Sequence, residues 1–302
     1  MEIKQRKGLA RNTIDKFYTK TNIAKLCTDM LKKHIKINAT DLIIEPSAGN
    51  GAFIGELKMV TCDHRFYDIE PENEEIIKQD FLEFDYSPDK KNYSKIHVIG
   101  NPPFGRQSSV AIKFIKKSCE FCDDCSFILP KSFRKNSLKR VFPPNFHLIY
   151  EVDLPSNSFL VDGVEHDVPC IFQIWEKKET NRLKDEKLEP INFRFVKKIE
   201  NTWVDVGKND SSPQNMGGKG GNDSSPPDAS FRRIGVNAGK LDTNIEGKSK
   251  ESHYFIKFTN GKSITDNINK LSTITYDFNN TVGPKSISKQ ELILKFNPLL
   301  EC

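Results

Sequence analysis

The segment Asn101-Pro102-Pro103-Phe104 places an amide, two prolines and an aromatic ring directly after the apolar run 96–100. An amine attached to an aromatic ring is a poor nucleophile because its lone pair is delocalised. The side-chain oxygen of Asn101 and the backbone carbonyl of Pro102 can accept its two hydrogens, which aims the lone pair at an electrophile. The prolines fix the backbone, and Phe104 offers a face for a planar base. The segment therefore predicts a site that activates an exocyclic amine such as N6 of adenine; a purely structural proline-rich loop is the alternative.

A glycine-rich segment lies some fifty residues upstream, at 46–53. The preceding run 41–45 is typical of a short buried strand, and an apolar helix start follows the glycines. Gly49 and Gly51 permit a tight turn and a close approach of the backbone to a ligand. This arrangement predicts a strand, loop and helix around a small-molecule site.

Two acidic residues further along the chain add to that site. Asp68 ends a second predicted strand nineteen residues after Gly49, where a carboxylate is suited to accept the hydroxyls of a ribose. Asp80 can accept from an adenine amine, and Phe81 can pack on the adenine ring. A third phosphate-binding glycine and a P-loop lysine are absent, so a cofactor that contains adenosine is favoured over a nucleotide with phosphates.

Four motifs in this order resemble those of the S-adenosylmethionine-dependent adenine-N6 methyltransferases of the gamma arrangement, the TaqI-like group. They are Glu45-Pro46-x-Ala48-Gly49-x-Gly51-x-Phe53, Asp68-x-Glu70-Pro71, Asp80-Phe81-Leu82 and Asn101-Pro102-Pro103-Phe104-Gly105. The resemblance covers roughly residues 10 to 177. It implies an α/β protein with the Rossmann-like class I methyltransferase fold, whose seven-stranded, mostly parallel sheet has an antiparallel last strand. A small β-rich extension is expected after it.

The resemblance also implies roles for individual residues. S-Adenosyl-L-methionine is the expected cofactor, and Asn101, Pro102, Pro103 and Phe104 are the expected catalytic residues. The residues expected at the cofactor are Tyr18, Thr19, Glu45, Pro46, Ser47, Ala48, Gly49, Gly51, Asp68, Ile69, Asp80, Phe81 and Asn101. Gly105 is expected beside Phe104 at the substrate, and Phe159 matches the aromatic residue that packs against the extruded base. For Tyr18 and its aromatic neighbour, core packing is the alternative.

Basic side chains are concentrated in two segments of a chain whose net charge is +5. Residues 1–40 hold ten lysines or arginines against three acids, and residues 131–140 hold five against none. The second segment leaves the carboxyl end of a predicted strand, where ligands gather in open α/β sheets. Lys131, Arg134 and Lys135 are therefore predicted to contact phosphates beside a target base in DNA or RNA. An ordinary solvated surface of a lysine-rich chain is the alternative.

Composition, together with the resemblance, divides the chain into five segments. They are a basic arm at 1–16, an S-adenosylmethionine-binding catalytic domain at 17–178, a charged linker and strand at 179–206, a low-complexity loop at 207–230 and a C-terminal extension at 231–302. The loop repeats Asn-Asp-Ser-Ser-Pro at 209–213 and 222–226 and has almost nothing apolar to bury, so it is predicted to be disordered. Arg232 and Arg233 make the extension a candidate substrate-binding element; bracing of the sheet edge is the alternative.

Seven cysteines without a secretory signal are interpreted as reduced thiols. Cys119, Cys122 and Cys125 form a C-x-x-C-x-x-C run, but no fourth ligand is near and the run is predicted to divide between a helix and a strand. No metal is therefore expected. Because no run approaches the roughly 20 apolar residues of a membrane span, we expect a soluble intracellular protein, cytoplasmic or nuclear.

The main hypothesis from the sequence is methyl transfer to adenine N6 in nucleic acid. The Glu-Pro form of the glycine-rich motif slightly favours DNA, and RNA adenine is the first alternative because relatives with Asn-Pro-Pro-Phe act on RNA. A glutamine amide in protein is another alternative substrate, because methyltransferases that modify this amide have a related Asn-Pro-Pro-Tyr motif. A non-catalytic binding subunit with the same fold is the alternative from a different class, disfavoured by the intact amide and glycine-rich loop.

Overall fold

The computed structural model describes residues 17–86, 89–183, 186–199, 202–206, 225–276 and 285–301. The chain divides into two units, Met1–Lys184 and Asp185–Cys302. The predicted arm at 1–16 and residues 207–224 of the predicted disordered loop lie outside the described residues. Within the described part, no helix combines the length and apolar character needed to cross a membrane.

The first unit alternates strands and helices. In chain order they are β1 (Tyr18–Thr19), α1 (Thr21–His34), β2 (Leu42–Glu45), α2 (Ile54–Lys58), β3 (Asp63–Asp68), β4 (Ile77–Lys78), α3 (Asp89–Asn92), β5 (Ile96–Gly100), α4 (Ser109–Cys119), β6 (Asp124–Pro130), α5 (Asn136–Lys139), β7 (Phe146–Asp153), β8 (Phe159–Val161), β9 (Val164–His166) and β10 (Cys170–Lys177). Short 3-10 turns precede α4 and α5, at Arg106–Ser108 and Lys131–Arg134.

Seven of these strands form one sheet in the order β4-β3-β2-β5-β6-β10-β7. The pairs from β4 to β6 are parallel, whereas β10 is antiparallel to both β6 and β7. This is the Rossmann-like class I methyltransferase fold, so the predicted fold class is confirmed. Every residue of β2, β5 and β6 is buried, as expected for parallel strands covered on both faces.

Helices α1 and α4 cover the sheet with one apolar face each. Buried residues recur along α1 at Ile23, Cys27 and Leu31, a spacing that keeps them on one side of the helix. In α4 the buried apolar side chains include Phe114 and Ile115.

A second, three-stranded sheet joins two distant parts of the first unit. Its order is β1-β8-β9, and the antiparallel pair of β1 with β8 places Thr19 opposite Phe159. Lys20 adds an ion pair to Glu165 of β9 at 2.5 Å. The segment before the glycine-rich loop is therefore attached to the connection between β7 and β10. The sequence did not predict this sheet, because two- and three-residue strands leave no periodic pattern.

A buried histidine links the amino ends of three neighbouring strands. His97 in β5 contacts Asp124 of β6 through Nδ1 at 2.6 Å and Asp41, just before β2, through Nε2 at 3.4 Å. Burial opposes a charge on His97, but the hydrogen bonds and charges of the two carboxylates outweigh it and raise its pKa. The imidazole thus links two buried carboxyl groups at the end of the sheet opposite to the carboxyl ends of the strands.

The three cysteines of the C-x-x-C-x-x-C run are buried in the core of the first unit. Cys119 ends α4 and Cys125 belongs to β6, with 4.0 Å between their sulfur atoms. Among the described residues, no group of three histidine, cysteine, aspartate or glutamate side chains is arranged to hold a metal ion.

The second unit is built on a five-stranded antiparallel sheet. Its elements are β11 (Phe193–Ile199), β12 (Thr202–Asp205), β13 (Ala229–Arg232), β14 (Leu241–Asp242), β15 (His253–Phe258), α6 (Ile264–Leu271) and α7 (Lys289–Leu300). The strand order is β12-β11-β15-β13-β14, and apolar residues of the sheet and α7 form a separate core. A capping box of Ser288 and Glu291 begins α7. Composition had grouped the strand at 193–199 with a charged linker, whereas pairing with β15 makes it an inner strand of this sheet.

Candidate functional site

A pocket of about 410 Å³ opens at the carboxyl ends of β2, β3 and β5. Its wall combines the glycine-rich loop after β2, the acidic end of β3 and the Asn-Pro-Pro-Phe segment after β5. These segments meet because the carboxyl ends of neighbouring parallel strands lie at one edge of the sheet. The strand order thus gathers motifs that are separated by some fifty residues of sequence.

The glycine-rich loop is fixed by the carboxylate of Asp68. Oδ2 accepts the backbone N–H of Gly49 and Oδ1 that of Glu70, both at 2.8 Å. Each oxygen keeps a further lone pair that can accept a hydroxyl hydrogen. Gly49 has a φ of +54°, and a Cβ there would lie 3.3 Å from the ring of Tyr18. Glycine is therefore required both by the backbone conformation and by the neighbouring ring.

Tyr18 closes the pocket from the amino-terminal side. Its hydroxyl donates a short hydrogen bond to the carboxylate of Glu72, and the backbone N–H of Glu72 donates to the carbonyl of Gly49 at 3.1 Å. Strand β1, the segment after β3 and the glycine-rich loop are thereby connected. The ring of Tyr18 forms part of the pocket wall.

Glu45, the last residue of β2, has a protonated carboxyl group at neutral pH. The side chain is 2% exposed, and Oε2 has no hydrogen-bond partner among the described residues. Burial, with a smaller contribution from the charge of Asp68, raises the pKa of Glu45 to about 8. The carboxyl group of Glu45 can therefore donate as well as accept, unlike the carboxylate of Asp68 beside it.

The far end of the pocket is formed by Asp80 and Phe81. Oδ1 of Asp80 accepts the backbone N–H of Leu82 at 2.9 Å, which orients the carboxylate. The ring of Phe81 stacks on Phe114 of α4, with 5.3 Å between centroids. Ile69 lies on the same wall and is 61% exposed. An anchored acceptor beside apolar side chains suits an aromatic heterocycle with an exocyclic amine.

The side chain of Asn101 is held in one orientation. Nδ2 donates to the backbone carbonyl of Phe17 at 3.0 Å, which assigns Oδ1 to the opposite side of the amide. Oδ1 is buried and has no hydrogen-bond partner within the described part of the chain. The backbone carbonyl of Asn101 accepts the hydroxyl of Ser47 at 3.1 Å, which joins this motif to the glycine-rich loop. The site thus contains a preoriented acceptor that lacks a donor.

The aromatic residues beside Asn101 are Phe104 and Phe17. Both line the pocket, and their rings stack with a centroid separation of 6.5 Å and an interplanar angle of 23°. Phe159 was predicted to pack against the base, but its ring is 0% exposed and does not line the pocket. Its pairing through β8 with β1 buries it edge-on against Phe17.

The structure brings most of the predicted pocket residues together. Those that line the pocket are Tyr18, Thr19, Glu45, Pro46, Ser47, Ala48, Gly49, Asp68, Ile69, Asp80, Phe81, Asn101, Pro102, Pro103 and Phe104. Gly51 and Gly105 do not line it. They adopt φ values of +86° and +67° in the loops that position its wall.

The basic residues predicted to contact phosphates have carboxylate neighbours. Lys131 pairs with Asp153 at 2.7 Å, and Arg134 pairs with Glu151 and Asp153 at 3.0 and 2.9 Å. Both partners belong to β7, which sequence reasoning treated only as a strand. The local positive charge is therefore smaller than the sequence suggested, and Lys131, Arg134 and Lys135 do not line the pocket.

Arg232 and Arg233 belong to the second unit. Arg232 donates through Nε to the carbonyl of Ile234 at 2.9 Å. Arg233 donates to the carbonyl of Glu251 at 3.1 Å and lies over the ring of Tyr254. These contacts order both guanidinium groups, and their role at a substrate remains a prediction.

Sequence reasoning missed the roles of Phe17 and Glu72. Phe17 supplies a backbone acceptor for Asn101 and a ring for the pocket, and the only available signal was its position next to Tyr18. Glu72 follows Pro71 in an acidic stretch, and nothing local distinguishes it from its neighbours. Both roles depend on contacts between segments that are far apart in sequence.

Comparison with known proteins gives no match at the level of sequence. No protein-family profile matches the chain, and no curated protein is similar to it. Among solved structures, a proposed class I S-adenosylmethionine-dependent methyltransferase from Listeria monocytogenes is 15% identical over 57% of this chain and 65% of that protein, with a TM-score of 0.44. A proposed RNA methyltransferase from Pyrococcus horikoshii is 16% identical over 57% and 93%, also with a TM-score of 0.44.

A third similar structure is the methyltransferase subunit of a type I restriction-modification system from Streptococcus thermophilus. It is 16% identical over 55% of this chain and 46% of that subunit, with a TM-score of 0.42. The chain thus covers less than two thirds of the Listeria protein and less than half of the Streptococcus subunit. At these identities each likeness concerns the fold alone.

Proposed function

We propose that this protein transfers a methyl group from S-adenosyl-L-methionine to N6 of adenine in nucleic acid, with DNA slightly favoured, as in the TaqI-like group. The observation that carries the proposal is the buried Oδ1 of Asn101, which is oriented by Phe17 and has no hydrogen-bond donor among the described residues. A buried acceptor without a partner costs about 1–3 kcal/mol, and an amine of the substrate relieves that cost.

The pocket has the acceptors that an adenosine-containing cofactor requires. Asp68 would accept the ribose hydroxyls, and Asp80 would accept the adenine amine beside Phe81 and Ile69. Tyr18 and Thr19 would border the methionine end, near the neutral carboxyl group of Glu45. When bound, S-adenosyl-L-methionine supplies an electrophilic methyl group on a sulfonium. The lack of a P-loop lysine further favours this cofactor over a nucleoside polyphosphate.

The residues of the chain would contribute mainly position and hydrogen bonding. Oδ1 of Asn101 and the carbonyl of Pro102 accept the two amine hydrogens and draw the lone pair of N6 out of conjugation. The prolines hold that carbonyl in place before the base arrives, so little reorganisation is needed. Phe104 and Phe17 offer faces on which the base packs. Alignment of the amine with the methyl group then accounts for most of the acceleration.

Methyl transfer from tritiated S-adenosylmethionine tests the proposal directly. The acceptors are an unmethylated DNA, an RNA of matched sequence and a protein extract, each followed by digestion and chromatography. We expect N6-methyladenine in the DNA digest and its loss in Asn101→Ala, with cofactor affinity retained in calorimetry. Label in the RNA digest alone would identify RNA, and not DNA, as the substrate.

Two other results of the same assay contradict the proposal. Label in protein alone, as a methylated glutamine, would replace the nucleic acid with a protein amide. If the protein binds the cofactor but methylates none of the acceptors, the result would contradict the proposed methyl transfer altogether. Glu74→Ala, an exposed residue outside the pocket, serves as the matched control and should leave transfer unchanged.

A further inference from the structure

The second unit contains a cleft where two strands of its sheet separate. Strand β11 pairs with β15 from Phe193↔Phe258 to Val196↔Phe255. Beyond that point, among the described strands, β11 is paired only with β12, and β15 is paired only with β13. The residues 197–199 and 253–254 therefore face each other across an opening of about 760 Å³, larger than the pocket of the first unit.

The cleft is strongly basic. Among the residues that the structure describes, five lysines line it against one acid, Glu246; they are Lys197, Lys198, Lys248, Lys250 and Lys289. Lys248 pairs with Asp242 at 3.3 Å. Lys198 and Lys250 are exposed, and neither has an ion-pair partner in the part of the chain that the structure describes. The cleft thus offers positive charge that its own carboxylates do not neutralise.

An aromatic side chain is fixed beside these lysines. Trp203 of β12 lies opposite Lys198 in the strand register and is partly exposed. Its ring packs edge-to-face on the buried Phe255, with 5.0 Å between centroids. That contact holds the indole in one orientation while part of its surface faces the cleft. A rigid ring next to cationic side chains is the combination on which unpaired bases stack.

We propose that this cleft binds a single-stranded segment of nucleic acid, with the lysines on its phosphates and Trp203 stacked on one base. The inference rests on the proposed function in that the same polynucleotide would carry the target adenine. The partly exposed face of Trp203 beside the lysines favours this occupant over an acidic peptide, because carboxylates would engage the lysines but would leave that face without a stacking partner. A duplex keeps its bases stacked inside and would leave Trp203 without a partner.

The test uses the full chain and a fluorescein-labelled oligothymidylate of about 12 nucleotides, within the usual site sizes. This oligonucleotide contains no adenine, so its binding reports the cleft separately from the methyl-transfer pocket. We expect salt-dependent binding in anisotropy titrations and quenching of tryptophan fluorescence. Trp203→Ala should weaken binding about tenfold, within the range that loss of one stacked base produces, and should remove the quenching.

A second set of variants changes the charge of exposed lysines and leaves the buried core unchanged. Lys198→Glu/Lys250→Glu should weaken oligothymidylate binding at least tenfold and lower the salt slope by about 1.4, since each phosphate contact on a single strand contributes about 0.7. The matched control is Lys262→Glu/Lys270→Glu, which makes the same change of charge at exposed lysines of the same unit outside the cleft. It should change affinity much less.

The outcomes separate this proposal from the proposed function. An equal loss of affinity in the cleft and control variants would contradict the proposal that the cleft binds nucleic acid. Quenching of Trp203 fluorescence by polyglutamate but not by oligothymidylate would contradict it as well. If methyl transfer to DNA depends on Asn101 while the cleft variants bind normally, the cleft proposal alone fails. If no acceptor is methylated but oligothymidylate binding depends on Trp203 and Lys198, the result supports the binding proposal for the cleft and contradicts the methylation proposal.

Discussion

Asn101 and Phe17 are joined by a hydrogen bond between a side-chain amide and a backbone carbonyl 84 residues earlier, with 3.0 Å from Nδ2 to the oxygen. The bond fixes which side of the amide faces the pocket. The acceptor at the reactive site is therefore oriented by the amino-terminal segment of the first unit, and not by its own loop alone.

Asn101→Asp isolates the contribution of that bond. The variant keeps an acceptor at Oδ1 but replaces the donor with an oxygen that is repelled by the carbonyl of Phe17. We expect the rate of methyl transfer in single-turnover assays to fall about 100-fold or more, the range seen when one preorganised hydrogen bond is removed. Cofactor affinity by calorimetry should change by less than about tenfold. Unchanged transfer would mean that the orientation of the amide is irrelevant.

Asp68→Ala should weaken cofactor binding about tenfold or more. The substitution removes the acceptor for Gly49 and Glu70, so two backbone N–H groups lose their partner and the glycine-rich loop loses its anchor. Calorimetric titration with S-adenosylmethionine measures the effect. Glu74→Ala removes an exposed carboxylate nearby and should leave affinity unchanged; similar losses in both variants would point to net charge as the cause.

The raised pKa of Glu45 predicts how stability depends on pH. The folded state retains this proton up to about pH 8, whereas the unfolded state releases it near the ordinary value of 4.5. Stability from this group is therefore fully present below pH 4.5 and is lost as pH rises through 8. Urea unfolding of wild type and Glu45→Gln at several pH values should give a smaller decline for the variant. Parallel curves would assign the proton to another group.

Gly105→Ala and Gly163→Ala compare a crowded glycine with an open one. Both positions have positive φ, +67° and +76°, so both substitutions strain the backbone, and Gly105 has in addition a ψ of 176°, a combination that is almost restricted to glycine. A Cβ at Gly105 would lie 2.4 Å from Cγ2 of Val110, which lines the pocket, whereas nothing lies within 4 Å at Gly163. Gly105→Ala should be the less stable variant in thermal melts and should lose methyl transfer. Equal effects would exclude the overlap.

His97→Leu should lower the free energy of unfolding by about 3–5 kcal/mol, because it removes the side chain that contacts the buried carboxyl groups of Asp41 and Asp124. Urea denaturation at neutral pH measures this loss. Cofactor affinity should change little under conditions where the variant is folded, since His97 lies at the amino end of its strand. A large loss of affinity with little loss of stability would contradict a structural role.

The parallel sheet and the pocket were predictable because their signals are local. Apolar runs ending in Glu45, Asp68 and Gly100 predicted the strands, and the carboxyl ends of parallel strands bring the following motifs together. Pairing between distant segments was not predictable in this way. The burial of Phe159 and the ion pairs of Arg134 depend on which strand lies next to which. Composition indicated a strand within 179–206, but a local pattern does not show which sheet contains it.

The small sheet that pairs Thr19 with Phe159 has a consequence for ligand binding. One of its strands borders the place proposed for the cofactor, and another belongs to the connection beside the place proposed for the base. A nucleotide that displaces the connection also pulls on Tyr18, and a cofactor that moves Tyr18 also moves the connection. Because such coupling is reciprocal, we expect each ligand to change the affinity for the other by the same factor.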